Sequence, residues 1–247
     1  MPRIFVQSIL EQGVVELTGD NARYILRVLR AKKGDMLHIF DSQGKTCSAS
    51  IIRVADKKVY VEVRECISEV KESPLRLILL QAILKGQKMD IVIQKAVELG
   101  VAELTPIITG RTEVKETRKH GRWQKIALEA TRQSGRSIVP SVKEPVTLKE
   151  FFSLSGHLKG IVLYEKRGMS LMEAVGKISK SFDFKKDLVF ALIGPEGGLR
   201  DDEVSIAEAN GLYAVHLGKR ILRAETATIA VIAILQTLMG DMGGSLQ

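Results

Sequence analysis

The sequence predicts an α/β protein in two parts: a small β-rich N-terminal part and a larger parallel α/β domain. Three observations predict it. Short apolar runs separated by turn signals fill the first seventy residues. A polar stretch ending in proline, "SEVKESP" at 68–74, breaks that pattern and reads as a linker. Beyond it, continuous apolar strands alternate with segments of helical period. The predicted domains are 1–70 and 75–247.

In the first part the strand-like runs are "GVVEL" (13–17), "MLHIF" (36–40), "CSASIIRV" (47–54) and "KVYVEV" (58–63). "DSQG" (41–44) and "ADKK" (55–58) supply turns between them. One helix interrupts the series. "TGDNARYILRVLR" offers Thr18 or Asp20 as its cap and sets Ala22, Ile25, Leu26 and Leu29 at helical spacing. Arg23, Arg27 and Arg30 fall on or beside its exposed face. Several short strands with a single helix predict a small barrel.

The second part alternates. Strands are predicted at 75–83, 101–108, 160–165, 187–194 and 213–218, and helices at 88–100, 121–135, 170–178, 200–210 and 225–239. Gly100 and Gly135 stop the first two helices. Ile91, Ala96 and Leu99 are the expected core face of the first, and Trp123, Ile126 and Ala130 of the second. Apolar strands with crossover helices imply a parallel sheet covered on both faces.

Composition narrows the function classes. No run of eighteen apolar residues exists, so no membrane-spanning helix is expected. "MPRIFVQSIL" lacks the apolar region of a signal peptide, and a cytoplasmic location is expected. Cys47 and Cys66 are too few for a disulfide framework and are expected as reduced structural thiols. His38, His120, His157 and His216 are scattered, so no metal is expected. No G-x-S-x-G elbow occurs, which excludes an α/β-hydrolase. The net charge is +8. Residues 111–137 carry eight Lys/Arg against three Asp/Glu, so most of the excess is local. That segment fits either a phosphate backbone or a solvated helix face.

Ligands of open parallel sheets bind at the carboxyl ends of strands. Three such ends stand out: "LYEKRG" (163–168), "IGPEGG" (193–198) and "LGKRILRAETA" (217–227). In the second, three glycines and a proline within five positions favour a ligand loop over a plain turn. The glycine spacing is wrong for a dinucleotide fingerprint, and no Lys-Ser/Thr follows as a phosphate loop requires. In the third, Lys219, Arg220 and Arg223 bring three cations into five positions. Glu225 and Thr226 have a helix-start explanation. Arg223 either pairs with a carboxylate such as Glu225 or faces a substrate.

"LIGPEGGLRDDEV" followed by "LGKRILRAETA" resembles the signature pair of the RsmE family, SPOUT-superfamily methyltransferases of small-subunit ribosomal RNA. The likeness extends to "KGQKMDIVIQKAVELGVAELTPI", "WQKIALEATRQSGR" and "YILRVLRAKKGD", which together run through nearly the whole chain. The resemblance implies a PUA-like RNA-binding β-barrel followed by a SPOUT-type domain with a trefoil knot, working as a homodimer. It implies methyl transfer from S-adenosyl-L-methionine to N3 of a uridine, in free ribosomal RNA or in the assembled small subunit. The implied cofactor residues are Leu163, Gly194, Glu196, Gly197, Gly198, Leu217, Gly218, Ile221, Leu222, Thr226 and Ala227. Arg223 is the implied stabiliser of the developing uracil anion. Glu196 is open between a base, a ligand for the cofactor's amine and a loop brace. Asp201, Asp202 and Glu203 are expected as ordinary first-turn helix acids. Arg3, Arg27, Arg30, Arg132 and Arg136 are the implied RNA contacts. Trp123 is expected in the core rather than stacked on a base. Two other readings share these features: a related knotted enzyme acting on a ribose 2′-hydroxyl, and a non-catalytic ribosome-binding protein.

Overall fold

The structure is a computed structural model describing residues 1–7, 13–41, 43–67, 72–113 and 118–244. Residues 68–71 of the predicted linker, and Lys115 and Glu116 of the basic segment, lie outside the described residues. The chain divides into two compact units, 1–72 with 131–139, and 73–130 with 140–247. The first unit thus takes in a short segment that lies far along the chain.

The first unit holds β1 (Arg3–Phe5), β2 (Gly13–Leu17), β3 (Met36–Phe40), β4 (Thr46–Ala55) and β5 (Lys58–Ile67). They form one sheet in the order β1-β3-β4-β5-β2. The β1–β3 pair is parallel and the other pairs are antiparallel. β4 and β5 meet at Asp56–Lys57, both with positive φ (50° and 61°). That is the primed-turn geometry whose twist matches a two-residue hairpin. Inward residues of alternating parity, including Leu37, Ile39, Ile51, Val59 and Val61, fill the core. The helix predicted over 18–30 is shorter and changes pitch. α1 (Gly19–Arg23) runs into a π-helical turn at Tyr24–Val28. Ala22 and Ile25 still point inward, while Arg23, Arg27 and Arg30 are exposed.

The expectation of reduced thiols fails: Cys47 and Cys66 form a disulfide. The β4–β5 register sets the two residues directly opposite one another. Their separation of 19 residues across a hairpin did not display that pairing.

The second unit holds an eight-stranded sheet. Its strands are β6 (Leu77–Ala82), β7 (Glu103–Ile108), β8 (Ser141–Val142), β9 (Val146–Thr147), β10 (Gly160–Leu163), β11 (Met169–Ser170), β12 (Val189–Ile193) and β13 (Leu212–His216). The order is β11-β13-β10-β12-β6-β7-β8, with β9 also on β7, and every pair is parallel. One face carries α2 (Lys88–Glu98), α3 (His120–Ser134) as far as Ala130, α5 (Leu171–Ser179) and α7 (Ala224–Met239). The other carries α4 (Leu148–Leu154) and α6 (Asp201–Ala209). Alternate strand residues serve the two cores: Leu77 and Leu79 pack on the first, Ile78 and Leu80 on the second. Trp123 is buried, as expected. Ile91 is not: it is 44% exposed, because the buried stripe of α2 is Met89, Val92, Ile93, Ala96 and Val97. Ile91 lies one residue, about 100° of helix, off that stripe.

β6 leads to β7 on one side of the sheet, and β12 leads on to β13 on the other. The strand order therefore reverses between β6 and β12. That reversal is the place in an open parallel sheet where the strand ends leave a crevice.

Candidate active site

A cleft of about 710 Å³ lies at the carboxyl ends of β10, β12 and β13, bounded by the start of α7 and by Lys88 of α2. The three strand ends singled out in the sequence, far apart along the chain, line this one space.

The β12 end supplies a tight loop. Pro195 O accepts the Gly198 N–H at 2.8 Å, closing a turn with Glu196 and Gly197 at its tip. A Cβ on Gly194 would sit 3.0 Å from Leu199 N, and Gly198 has φ +69°, so both positions need glycine. Arg111, in the loop after β7, donates to Gly197 O at 2.7 Å. Glu203 accepts from the Gly110 N–H at 2.7 Å and from the Arg200 N–H at 2.8 Å. Glu203 is buried and ties two loops together, so it is more than a first-turn acid. Asp201 also has partners, the Tyr164 hydroxyl and Lys166 Nζ.

Glu196 Oε1 accepts from Lys88 Nζ at 3.0 Å and from the Lys85 N–H at 3.2 Å. Burial pushes its carboxyl up, but hydrogen bonds from its own backbone, from Lys88 and from Lys85 outweigh burial and hold it below its ordinary value. It is a carboxylate at neutral pH and a weak base.

The β13 end supplies the cations. His216 Nδ1 accepts from the Gly218 N–H at 3.2 Å, which assigns the ring proton to Nε2. Lys219, Arg220 and Ile221 are exposed, and Leu222 is half-buried. Arg223 is the N-cap of α7, with extended backbone (φ −64°, ψ 150°), and its carbonyl accepts from Ala227 N–H at 2.8 Å. Arg223 is exposed, lines the cleft and has no ion pair among the described residues. Glu225 does not take it, and Glu225 Oε2 is buried without a hydrogen-bond partner among the described residues.

Of the sequence-predicted cofactor residues, Leu163, Gly194, Glu196, Gly197, Gly198, Leu217, Gly218, Ile221, Leu222 and Ala227 line the cleft. Thr226 is exposed in the first turn of α7 and does not. Lys88 and Glu165, which also line the cleft, were not predicted as cofactor residues; Arg111 was read only as part of the basic segment and Glu203 only as a first-turn helix acid. The walls formed by Leu163, Ile193, Leu217, Leu222 and Ala227 suit the flat apolar faces of a nucleobase. The glycine backbone at 194–198 lets a ligand approach closely without the nest of a phosphate loop. These residues fit a nucleoside without phosphates, which is what S-adenosylmethionine presents.

The five predicted RNA arginines all belong to the first unit. Arg27 and Arg30 are exposed. Arg3 donates to Arg136 O at 2.8 Å and lies 4.4 Å over the Phe40 ring, and burial lowers its pKa. Arg132 donates to Asn21 Oδ1 at 2.9 Å. Arg136 is buried on Glu72, which also accepts from the Ser137 and Ile138 N–H groups at 3.0 Å.

Comparison with known proteins adds identity to geometry. A family model described as RNA methyltransferase domain matches residues 71–236, and one described as RNA methyltransferase PUA domain matches 17–64. The ribosomal RNA small subunit methyltransferase E of Buchnera aphidicola is 32% identical over 98% of this chain and 95% of its own. The crystal structure of the Neisseria gonorrhoeae enzyme of that name, bound to S-adenosyl methionine, superposes with a TM-score of 0.86 at 33% identity, covering 98% of this chain and 99% of that one. A Legionella pneumophila methyltransferase in complex with the same cofactor gives 0.87 at 34%, covering 97% and 98%.

Proposed function

We propose a function from the premise that the chain belongs to the ribosomal RNA small subunit methyltransferase E family: it methylates small-subunit ribosomal RNA, with S-adenosylmethionine as donor, at N3 of a uridine. The observation that carries this reading is one cleft that joins the glycine loop of β12 to Arg223, which has no ion pair among the described residues.

The cofactor supplies a methyl group already electrophilic at its sulfonium. The chain's residues do the rest. The backbone of Gly194–Gly198 and Leu217–Leu222 shapes the nucleoside site. Arg223 faces the uracil, whose N3 gives its proton to solvent and whose two carbonyls take up the resulting charge, and donates hydrogen bonds to that charge. Its backbone is fixed as a helix cap, which holds the root of the side chain at the cleft before substrate arrives. Glu196 is assigned to the brace: its depressed pKa makes it a poor base, and its bonds to Lys88 and Lys85 hold the loop in register.

The finer architecture belongs to the same proposal. The first unit is a PUA-like barrel, and Arg27 and Arg30, with Arg3 and Arg132 beside them, contact RNA phosphates. Residues 217–223 leave β13, and α7 then packs on α2 and β12; this return is where a trefoil knot would thread. The outer side of α7 carries Ile229, Ala230, Ala233, Ile234 and Leu238 at helical spacing, partly exposed, and a second copy of the chain would cover it.

Incubating the purified protein with labelled S-adenosylmethionine and unmethylated small subunits or their RNA, then digesting to nucleosides, tests the reaction. N3-methyluridine is the expected product. Label on a ribose hydroxyl would overturn the base assignment, and no label in either substrate would overturn the activity.

A further inference from the structure

The methyl-transfer reading leaves one carboxylate of the cleft without a role. Glu165 follows β10 by two residues and lines the cleft. Its exposed side chain lies beside the β12 loop: a Cβ on Gly198 would lie 3.4 and 3.8 Å from its two oxygens. The other charged groups nearby have partners of their own. Lys166 Nζ lies 3.2 Å from Asp201, and Arg167 forms a bidentate pair with Glu208 at 2.7 and 2.6 Å. Arg111 donates to Gly197 O, and Lys88 to Glu196. Glu165 has no ion pair or hydrogen bond among the described residues. A carboxylate left open in a ligand cleft, beside a glycine backbone, is placed to accept from a ligand.

We infer that Glu165 accepts hydrogen bonds from the vicinal 2′- and 3′-hydroxyls of the cofactor's ribose. The inference rests on the methyl-transfer reading. Its chemistry is that of the strand-end acid in dinucleotide sites, where a carboxylate receives ribose hydroxyls. Two carboxylate oxygens match two hydroxyl donors held at fixed spacing on one ring. Neighbouring Leu163 is an apolar wall suited to adenine, and the ribose is the group joined directly to adenine. The glycine at 198 keeps the facing backbone low enough for a sugar to enter between the loops. Arg220, exposed at the cleft and without an ion pair among the described residues, is then available to the carboxylate of the amino-acid tail.

Titration calorimetry with S-adenosylhomocysteine, 5′-methylthioadenosine and 2′-deoxy-5′-methylthioadenosine tests this without turnover. Glu165→Ala should weaken the first two ligands equally, roughly ten- to a hundredfold, as expected for losing hydrogen bonds to a charged group. The deoxy ligand should bind wild type weakly and gain much less from Glu165. Glu165→Gln, with one oxygen acceptor left, should fall between. Thermal melts without ligand should match wild type, because Glu165 is exposed and bonded to nothing else described. Unchanged affinity for all three ligands in Glu165→Ala would overturn the inference. So would weakened S-adenosylhomocysteine with unchanged methylthioadenosine, since that places the carboxylate on the amino-acid tail. Wild type that binds none of the ligands would instead overturn the methyl-transfer reading, and the inference with it.

Discussion

Arg223 has a fixed backbone and an uncommitted side chain. Its carbonyl starts α7, and the residue lines the cleft with no ion pair among the described residues. Arg223→Ala should therefore lower single-turnover methylation about 100- to 1000-fold, the cost of removing one donor to a developing anion. Affinity for S-adenosylhomocysteine should stay within about twofold, as read by calorimetry, since a transition-state contact contributes little to ground-state binding. Glu196 behaves differently. Its folded-state pKa is depressed, so its contribution is complete above the ordinary carboxylate value, about 4.3, and is lost as pH falls through the lower folded value. The gap in melting temperature between wild type and Glu196→Gln should be constant from neutral pH to about 5 and should close below about 4; a gap that narrows between pH 8 and 6 would exclude this assignment. The sequence made Arg223 conspicuous because a cation between an apolar pair and a buried helix has few structural excuses. It left Arg223's pairing open because whether Glu225 reaches it depends on side-chain direction at the helix start. Glu196 was equally visible, but its role turns on Lys88, more than a hundred residues away along the chain.

The longer elements of the second unit were legible because each carries its own period: apolar runs for strands buried on both faces, and spacings of three and four for helices; the seven-residue α4 (Leu148–Leu154) was missed. The two-residue strands β8, β9 and β11 are too short to carry a period. The braces between loops were also invisible. Arg111 reaches Gly197 across 86 positions, and Glu203 reaches Gly110 across 93. No local pattern records such a pairing; it follows from the β12–β6–β7 order, which only the folded sheet decides. The same holds for Cys47 and Cys66, whose pairing is set by strand register. The Glu203 brace is testable as an element. Glu203→Ala leaves two backbone N–H groups, on Gly110 and Arg200, without their acceptor. If they stay buried the cost is about 1–3 kcal/mol, or roughly 2–4 °C of melting temperature per kcal/mol for a domain of this size. Cofactor affinity should fall too, because the β12 loop loses its anchor to the β7 loop. Calorimetry beside melting curves checks both. A destabilised variant with undiminished affinity would show that the brace serves the fold alone.

At the scale of the whole molecule, the two proposed tasks fall on two units. The cofactor cleft lies within the second unit, and Arg3, Arg27, Arg30, Arg132 and Arg136 lie within the first. The two-part organisation was readable as a change of pattern near residue 70, but the inclusion of 131–139 in the first unit was not. That segment is helix end and loop in sequence, and it joins the first unit through Arg136 on Glu72 and Arg132 on Asn21. Those contacts also sort the arginines. Arg136 is buried on a carboxylate, whereas Arg27 and Arg30 are exposed. The latter pair should carry the phosphate contacts. Each phosphate neutralised releases condensed counterions, so the slope of log affinity against log salt counts the contacts, at about 0.7 per contact for single strands and 0.9 for duplex. The double variant Arg27→Ala/Arg30→Ala should bind ribosomal RNA more weakly at low salt, with a slope shallower by about 1.4–1.8. Its affinity for S-adenosylhomocysteine should be unchanged, since no cleft residue is touched. Fluorescence anisotropy over a salt series, with calorimetry as the control, measures both. An unaltered slope would move the RNA contacts elsewhere, first to the basic residues at the start of α3. A slope reduced together with cofactor affinity would mean that the two tasks are coupled rather than divided between the units.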